Sequence, residues 1–558
     1  MTGTGGDDAV KVQDLATLVR RAARRWPHRR ALRFDQHDID YTFAELDELS
    51  DRYGAVLAAL GIGYGDRIAL VFDNRPEYPL LWLGAAKIGA AVVPVNPRYS
   101  VRELTRLLDH ADPALVVTCA DHLDLVLGSA SGDRRVAVTD AEGGPEVIGM
   151  NGVAVAVAAG RTPDQAVYPE TLANIQYTSG TTGHPKGCML SHGYWTAMVR
   201  KYADGFPHLG PDDVLLTAQP FYYLDPQWSL AACLLVGSSL VVLDRFHPTS
   251  FWDKVRAYQV TYLYCIGMMP TLLLRRPEQP TDREHSLRAV ACSGIPKDIH
   301  AALEKRFGVP WYEGFGMTET GGDLRVLPDD HDELVGTGCV GRPNPHREAR
   351  IVDERGHAVP RGGTGELILR GAGMMDGYYR DEAATREVFR DGWFHTGDLA
   401  RMDERGRVYL MGRLKDMARR SGENIALNEV EAVLCSSERV GQAACVPVAD
   451  DVRGEEVHAF LVARGEPAEA TEAVAVAEAV AVATLADVIA HASANLAPFK
   501  VPRYWSFVAE LPLTPSQRVA KEKLRALRVT AYDRTTGEQV RLGASPDPHG
   551  VVTERADA

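Results

Sequence analysis

Cysteine is scarce, at eight in 558 residues, and none stands in a Cys-x-x-Cys pair. That argues against a disulfide scaffold and a zinc ribbon and leaves reduced thiols in a cytoplasmic setting as the default. Positive charge is in deficit: 61 Lys plus Arg face 75 Asp plus Glu, a net charge of −14. Nucleic acid and anionic membrane are poor partners for such a chain, because a protein that neutralises phosphates usually carries positive charge. Long apolar runs are missing too. One is broken by Lys87 and another, Trp228 to Leu243, by serines and Gly237, both short of the ~20 residues that span a bilayer. The stretch from Met1 to Asp8 lacks the basic-then-apolar layout of a secretory leader, and no internal repeat is evident. What is present is ordinary globular composition, 45% apolar and 24% charged, in a chain too long for one core, so at least two domains are expected.

Arginines 20, 21, 24, 25, 29, 30 and 33 surround Leu15, Leu18, Val19, Ala22 and Trp26. This spacing suits an amphipathic helix ended by Pro27, its basic side a solvated face. A helix over about 44–60, the strand 67–72, a helix over 79–89 and Ala91-Val92-Val93-Pro94-Val95 then alternate, and the pattern recurs through 114–118, 213–217, 239–243, 260–264 and 288–292. Such alternation predicts parallel α/β sheets with crossover helices. From about 336, short strands separated by Gly and Pro predict a small barrel-like subdomain. The expected division is a large α/β N-terminal domain over 1–412, a hinge at 413–416, a small mobile α+β domain over 417–528 and a disordered tail over 529–558. Between Pro467 and Ala490 the composition collapses onto Ala, Val, Glu and Thr, read as a low-complexity surface insertion.

The strongest chemical signal is Tyr177-Thr178-Ser179-Gly180-Thr181-Thr182-Gly183-His184-Pro185-Lys186-Gly187, between two apolar stretches. Glycine loses the most backbone entropy on folding, so three of them beside four hydroxyl residues are costly to order. As an anion cradle, backbone N–H groups and hydroxyls converge on phosphate oxygens while Lys186 adds a point charge. No Gly-Lys-Ser/Thr triplet occurs, so this is not a Walker A loop.

This loop resembles the phosphate-binding motif of the adenylate-forming superfamily, which embraces acyl-CoA synthetases, adenylation domains and luciferases. The resemblance runs from about Leu15 to Leu527, and further motifs follow in the family's order. Tyr312-Glu313-Gly314-Phe315-Gly316-Met317-Thr318-Glu319 resembles its second nucleotide motif. That resemblance implies Phe315 stacking on adenine, Thr318 contacting the α-phosphate and Glu319 holding Mg²⁺; a hard cation needs such an oxygen ligand. Phe315 stands where the family usually has Tyr. His395-Thr396-Gly397-Asp398 resembles the ribose motif, implying that Asp398 accepts from the 2′- and 3′-hydroxyls, with His395 structural. Gly412-Arg413-Leu414-Lys415-Asp416 resembles the interdomain hinge, with Arg413 reaching the nucleotide and Lys415 at the pivot. In Ser421-Gly422-Glu423 the glycine would let a pantetheine arm pass.

The C-terminal lysine motif is matched by Leu511 to Lys521, but Arg518 stands at the catalytic lysine position and Gln517 replaces the preceding glycine. Arginine keeps the charge while changing its shape. Arg518 is placed first as the bridging cation, with Lys521 or Lys523 as substitutes or adenylation impaired. The acyl pocket is placed at Tyr223, Asp225 and Gln227 on one side and Ser293, Gly294 and Ile295 on the other. Tyr223 stands where ligases often have histidine. Asp225 either meets a positively charged or amine-bearing substrate or caps the helix that begins near Trp228.

The resemblance, nearest in wording to the carnitine/crotonobetaine–CoA ligase branch, implies an ATP- and Mg²⁺-dependent ligase that adenylates a small-molecule acid and transfers the acyl group to CoA. Lys186, Thr318, Glu319 and Arg518 would carry the chemistry. Two alternatives stay open: an enzyme of natural-product pathways that activates nitrite for reaction with an aryl amine, and a nucleotide-binding protein with impaired catalysis. The sequence leaves the oligomeric state open, a homodimer included.

Overall fold

The computed structural model describes residues 13–130, 133–144, 147–150, 165–178, 185–414, 417–420, 423–450, 452–464, 474–514, 519–542 and 554–555. The arginine-rich stretch forms the helix Leu15–Arg25, capped by Asp14, whose carboxylate accepts from the Thr17 N–H at 2.6 Å. Leu15, Leu18, Val19 and Ala22 are buried while Arg24 and Arg25 face solvent. The next helix, Phe43–Ala59, starts in a reciprocal cap between Thr42 and Glu45, worth about 1 kcal/mol. Lys87, which breaks an apolar run in the sequence, is fully buried at the end of the helix Glu77–Lys87. Its ammonium pairs with Asp47 at 2.6 Å and Asp51 at 2.9 Å.

Among the described residues the strands assemble into sheets of seven, fourteen and eight. In the seven-stranded sheet Arg67–Val71, Ala91–Val95, Leu115–Thr118 and Leu172–Thr178 run parallel. Ala91–Val95 is buried along its whole length, the pattern of a strand covered on both faces. The edge strand Lys186–Ser191 runs antiparallel to Leu172–Thr178. The fourteen-stranded sheet has a parallel section running from Arg30–Phe34 through Ser239–Val242, Val214–Thr217, Tyr262–Ile266 and Ala289–Ser293 to Trp311–Met317. There it turns antiparallel. The short strands expected after 336 continue the same sheet and enclose a core of their own around Leu324, Val340, Leu367 and Leu369.

The eight-stranded sheet is built from residues beyond Met417, and two expectations change there. The Ala/Val-rich segment is the helix Val474–Asn495, and its later half drives Leu485, Val488 and Ala492 into the core with Leu434 and Leu461. It is helical because alanine and glutamate outweigh the valine alternation as helix formers. From Leu485 on it is a core element rather than a surface insertion, while 467–473 lie outside the described residues. The tail is ordered through Leu542. Val529–Asp533 and Glu538–Leu542 pair antiparallel, and the first joins Tyr504–Phe507. Arg503 grips Asp533 there at 2.9 Å and Asp450 at 2.7 Å. None of the described helices is long and apolar enough to cross a membrane.

Candidate active site

Of the residues singled out by sequence, Ser179, Gly180, Thr181, Thr182 and Gly183 lie outside the described residues, as do Lys415, Ser421, Gly422 and Arg518. The two flanks of the hydroxyl-rich loop are described. Thr178 closes one strand, Lys186 opens the next, and the two are register partners, with the Thr178 hydroxyl 3.5 Å from the Lys186 carbonyl oxygen. The loop therefore leaves and re-enters the edge of the sheet at one point.

The strand that follows the loop aligns with the segment at 376–379. The Met189 N–H donates to the Gly377 carbonyl at 2.9 Å and the Tyr379 N–H to the Gly187 carbonyl at 2.7 Å. This docking brings Tyr378 under Lys186, whose ammonium lies 4.9 Å from the ring centroid. The same tyrosine donates its hydroxyl to the Glu319 carboxylate at 3.0 Å. Burial, and next the Glu319 charge, hold the Tyr378 hydroxyl well above its ordinary pKa, so it stays a donor. One aromatic side chain thus links the cation of the phosphate loop to the acid of the second nucleotide motif. Tyr378 carries no motif signature of its own, and the sequence offered no means of finding it.

Glu319 follows the strand Trp311–Met317, in the turn of a hairpin with Gly321–Arg325. Gly316 and Gly322 oppose one another there so closely that a Cβ on Gly316 would sit 2.2 Å from the Gly321 carbonyl oxygen. A register shift between Phe315 and Gly316 marks a bulge, a device that re-aims neighbouring side chains. Phe315 is half-buried, packed against the core around Leu324, and Gly314 sits beside it. The Thr318 carbonyl accepts from the buried Tyr194 hydroxyl at 3.0 Å and the Met375 N–H donates to the Glu319 carbonyl at 2.8 Å. Met317 is half-buried. The turn is therefore held from behind while Glu319 keeps a buried carboxylate, an oxygen donor suited to a hard cation that takes its other ligands from phosphate and water. Among the described residues no three His, Cys, Asp or Glu gather as a metal cage.

Asp398, in the strand Trp393–Met402, is a register partner of Arg413 and pairs with its Nε at 2.8 Å. Glu366 steadies the turn before it, accepting from the Gly397 N–H at 3.1 Å and lying 2.7 Å from His395 Nδ1. His395 is thus tied into the scaffold. Glu423 opens the short strand Glu423–Ala426.

The acyl side differs from expectation in two places. The Asp225 carboxylate does not cap the helix Leu224–Val236; it accepts from the Trp228 indole N–H at 3.2 Å. Burial pushes its pKa up to about 6. Gln227 is fully buried, not a pocket wall: its amide donates to the Phe221 carbonyl at 2.8 Å and the Tyr223 carbonyl at 3.1 Å while accepting from Asn174 at 2.9 Å. A glutamine in the first turns of a helix can reach back to the preceding loop, so Gln227 fixes the backbone that presents the half-buried Tyr223. Opposite, the Ser293 hydroxyl is 2.9 Å from the Tyr264 hydroxyl, and Tyr264 meets Trp228 edge-on at 5.4 Å. Ser293 and Asp225 are thereby joined through two aromatic rings. Glu313 shapes this wall: its two carboxylate oxygens accept the Gly294 and Ile295 N–H groups, each at 2.7 Å, and burial lifts its pKa to about 7. Ile295 is buried in the adjoining core.

The sequence matches the family described as AMP-binding enzyme over residues 19–379 and the AMP-binding enzyme C-terminal domain over 429–518. A crotonobetaine/carnitine–CoA ligase from Salmonella paratyphi A is 31% identical over 502 residues, covering 87% of this chain and 93% of the relative. The protein of that name from Proteus mirabilis is 30% identical over 505 residues, with the same 87% and 93% coverage. Among solved structures, ATP-bound MatB from Rhodopseudomonas palustris superposes with a TM-score of 0.78 at 29% identity, covering 91% of this chain and 98% of that one.

Proposed function

The chain belongs to the AMP-binding enzyme family, and from that premise we propose that it is an ATP- and Mg²⁺-dependent, AMP-forming ligase that adenylates a small-molecule carboxylic acid and passes the acyl group to CoA. The observation that carries the reading is the Lys186–Tyr378–Glu319 cluster, which joins the phosphate loop to the second nucleotide motif. In the first step a substrate carboxylate oxygen attacks the α-phosphorus. A new P–O bond forms, the bond to the bridging oxygen breaks, and pyrophosphate leaves with that electron pair. Lys186 and the loop 178–183 hold the phosphates, Thr318 meets the α-phosphate, and Asp398 with Arg413 hold the ribose. Glu319 is the carboxylate that would hold Mg²⁺, which when bound neutralises phosphate charge.

Arg518 is assigned the bridging cation. Support comes from the runner-up: the Lys521 ammonium pairs with Glu431 at 2.7 Å, and that carboxylate also accepts from the Cys445 N–H at 2.7 Å. Lys521 is thus engaged within the C-terminal core, and Lys523 lies exposed. In the second step a thiolate sulfur attacks the acyl carbon and AMP departs with the C–O electron pair. Rotation about Lys415 would withdraw Arg518 and present Gly422, with Ser421 and Glu423 beside it, to the thiol.

The acid is assigned an amine-bearing or quaternary ammonium class. Asp225 is the partly buried carboxylate on the aromatic wall, and the relatives' names specify crotonobetaine and carnitine. Above pH 6 Asp225 is ionised and attracts such a cation; below it the group is neutral. The KM of an ammonium-bearing acid is expected to fall as pH rises through about 6, while that of an uncharged isostere stays flat, and Asp225→Asn removes the difference. The defining assay is acid-dependent pyrophosphate release over a panel of carnitine-like, aliphatic and aryl acids with CoA, beside an arm supplying nitrite with aryl amines. Release in the nitrite arm alone would overturn the proposal.

A further inference from the structure

Behind the nucleotide hairpin lies a buried cationic cluster that the proposed reaction does not use. Lys201, in the helix His192–Asp204, is 7% exposed, and its ammonium finds no hydrogen-bond partner among the described residues. It lies 5.0 Å from the Tyr202 ring centroid and occupies the place a side chain on residue 322 would need: a Cβ on Gly322 would fall 1.9 Å from its Nζ. Arg347, with a side chain 6% exposed, spends Nε on Asp323 at 2.8 Å and Nη2 on the Thr320 carbonyl at 2.6 Å. Its remaining nitrogen, Nη1, is buried with no partner among the described residues. Arg325 adds a third cation against the Tyr202 ring at 4.6 Å. Asp323 is the carboxylate in their midst, bound to the Thr320 hydroxyl as well as to Arg347.

Lys201 and Arg347 line the same cavity of about 20 Å³, together with Thr320, Gly322, Asn344 and His346. That volume holds one water-sized particle and excludes phosphate or sulfate. The two orphaned groups are both donors, and a buried donor without an acceptor costs about 1–3 kcal/mol. The Asn344 amide N–H donates to the Gly322 carbonyl at 3.0 Å, and its carbonyl oxygen makes no hydrogen bond to either orphaned donor. Water brings two hydrogens that need acceptors of their own; a single-atom anion brings only acceptor capacity, together with the charge that three cations around one carboxylate lack. We propose that this cavity is a binding site for one monoatomic anion of the halide class, held between Lys201 and Arg347. Burial, and next the Arg325 charge, drive the Lys201 pKa well below its ordinary value; a bound anion offsets both. Gly322 faces Gly316 across the hairpin that presents Thr318 and Glu319, so the anion would brace the nucleotide turn from its rear.

The test begins with the native protein crystallised in sodium bromide. An anomalous peak between Lys201 Nζ and Arg347 Nη1 is expected; a cavity holding water alone or no bromide overturns the proposal. In solution, replacing gluconate by chloride at constant ionic strength is expected to raise the melting temperature of the native protein by more than that of Lys201→Met. Equal responses of the two proteins overturn it. The bromide crystal uses unaltered protein, so it decides the matter even where the variant fails to fold.

Discussion

Glu313 shows how one side chain ties pocket shape to acidity. Its carboxylate takes two backbone N–H groups from the loop at 294–295, yet burial raises its pKa from 4.5 to about 7. The folded protein holds a proton there that the unfolded chain gives up, so stability falls as pH rises between about 4.5 and 7 and levels off above. Relative to Glu313→Gln, the native protein is expected to lose on the order of 3 kcal/mol across that window, read as the difference between two pH series of denaturant melts. A flat difference would show that Glu313 is ionised throughout. Tyr378 acts on the neighbouring motif. Removing a hydrogen bond to a charged group costs about 1.5–3 kcal/mol, so Tyr378→Phe is expected to raise the Mg²⁺ requirement for pyrophosphate release by roughly tenfold or more with the fold intact. An unchanged Mg²⁺ titration would remove Tyr378 from the site. Glu313 stands inside the motif read from sequence without a role of its own, and Tyr378 carries no signal there, for the same reason: each acts through a partner distant in the chain, Glu313 by 18–19 residues and Tyr378 by 59.

Elements follow the sequence where burial is periodic and depart from it where a distant partner decides. The Arg-rich helix and the parallel strands were legible because apolar residues repeat at helical spacing or run continuously through strands covered on both faces. The hydroxyl-rich loop and the motifs around Glu319 and Asp398 stood out in the sequence as dense local clusters, and the roles proposed for them rest on that resemblance. The hairpin of Val529–Asp533 and Glu538–Leu542 was not. Its polar, turn-rich sequence reads as a fraying tail, and what holds it is Arg503, 30 residues upstream of Asp533. Asp533 is almost wholly buried; burial alone would raise its pKa, but the Arg503 fork more than offsets this and leaves it below the ordinary value. Asp533→Asn is therefore expected to destabilise the C-terminal sheet by about 2 kcal/mol, measured by hydrogen exchange of the strands Tyr504–Phe507 and Val529–Asp533. Unaltered protection there would show that the strands hold without the fork.

At the scale of the molecule, Thr178, Lys186, Glu319 and Asp398, the described residues proposed to hold phosphate, metal and ribose, belong to the first two sheets and their turns, while the cation proposed for the reacting oxygens comes from the part of the sequence that builds the third. Charge at position 518 should then decide the chemical step, and charge at 521 the integrity of the C-terminal core. The measurement that bears most directly on this is acid-dependent conversion of ATP to AMP and pyrophosphate by native protein, Arg518→Ala and Lys521→Ala side by side. The expected result is stoichiometric AMP and pyrophosphate from the native protein, a loss of roughly a hundredfold or more in Arg518→Ala, and retention within a few-fold in Lys521→Ala. Products of ADP and phosphate, or a reaction that survives Arg518→Ala and dies in Lys521→Ala, would contradict it.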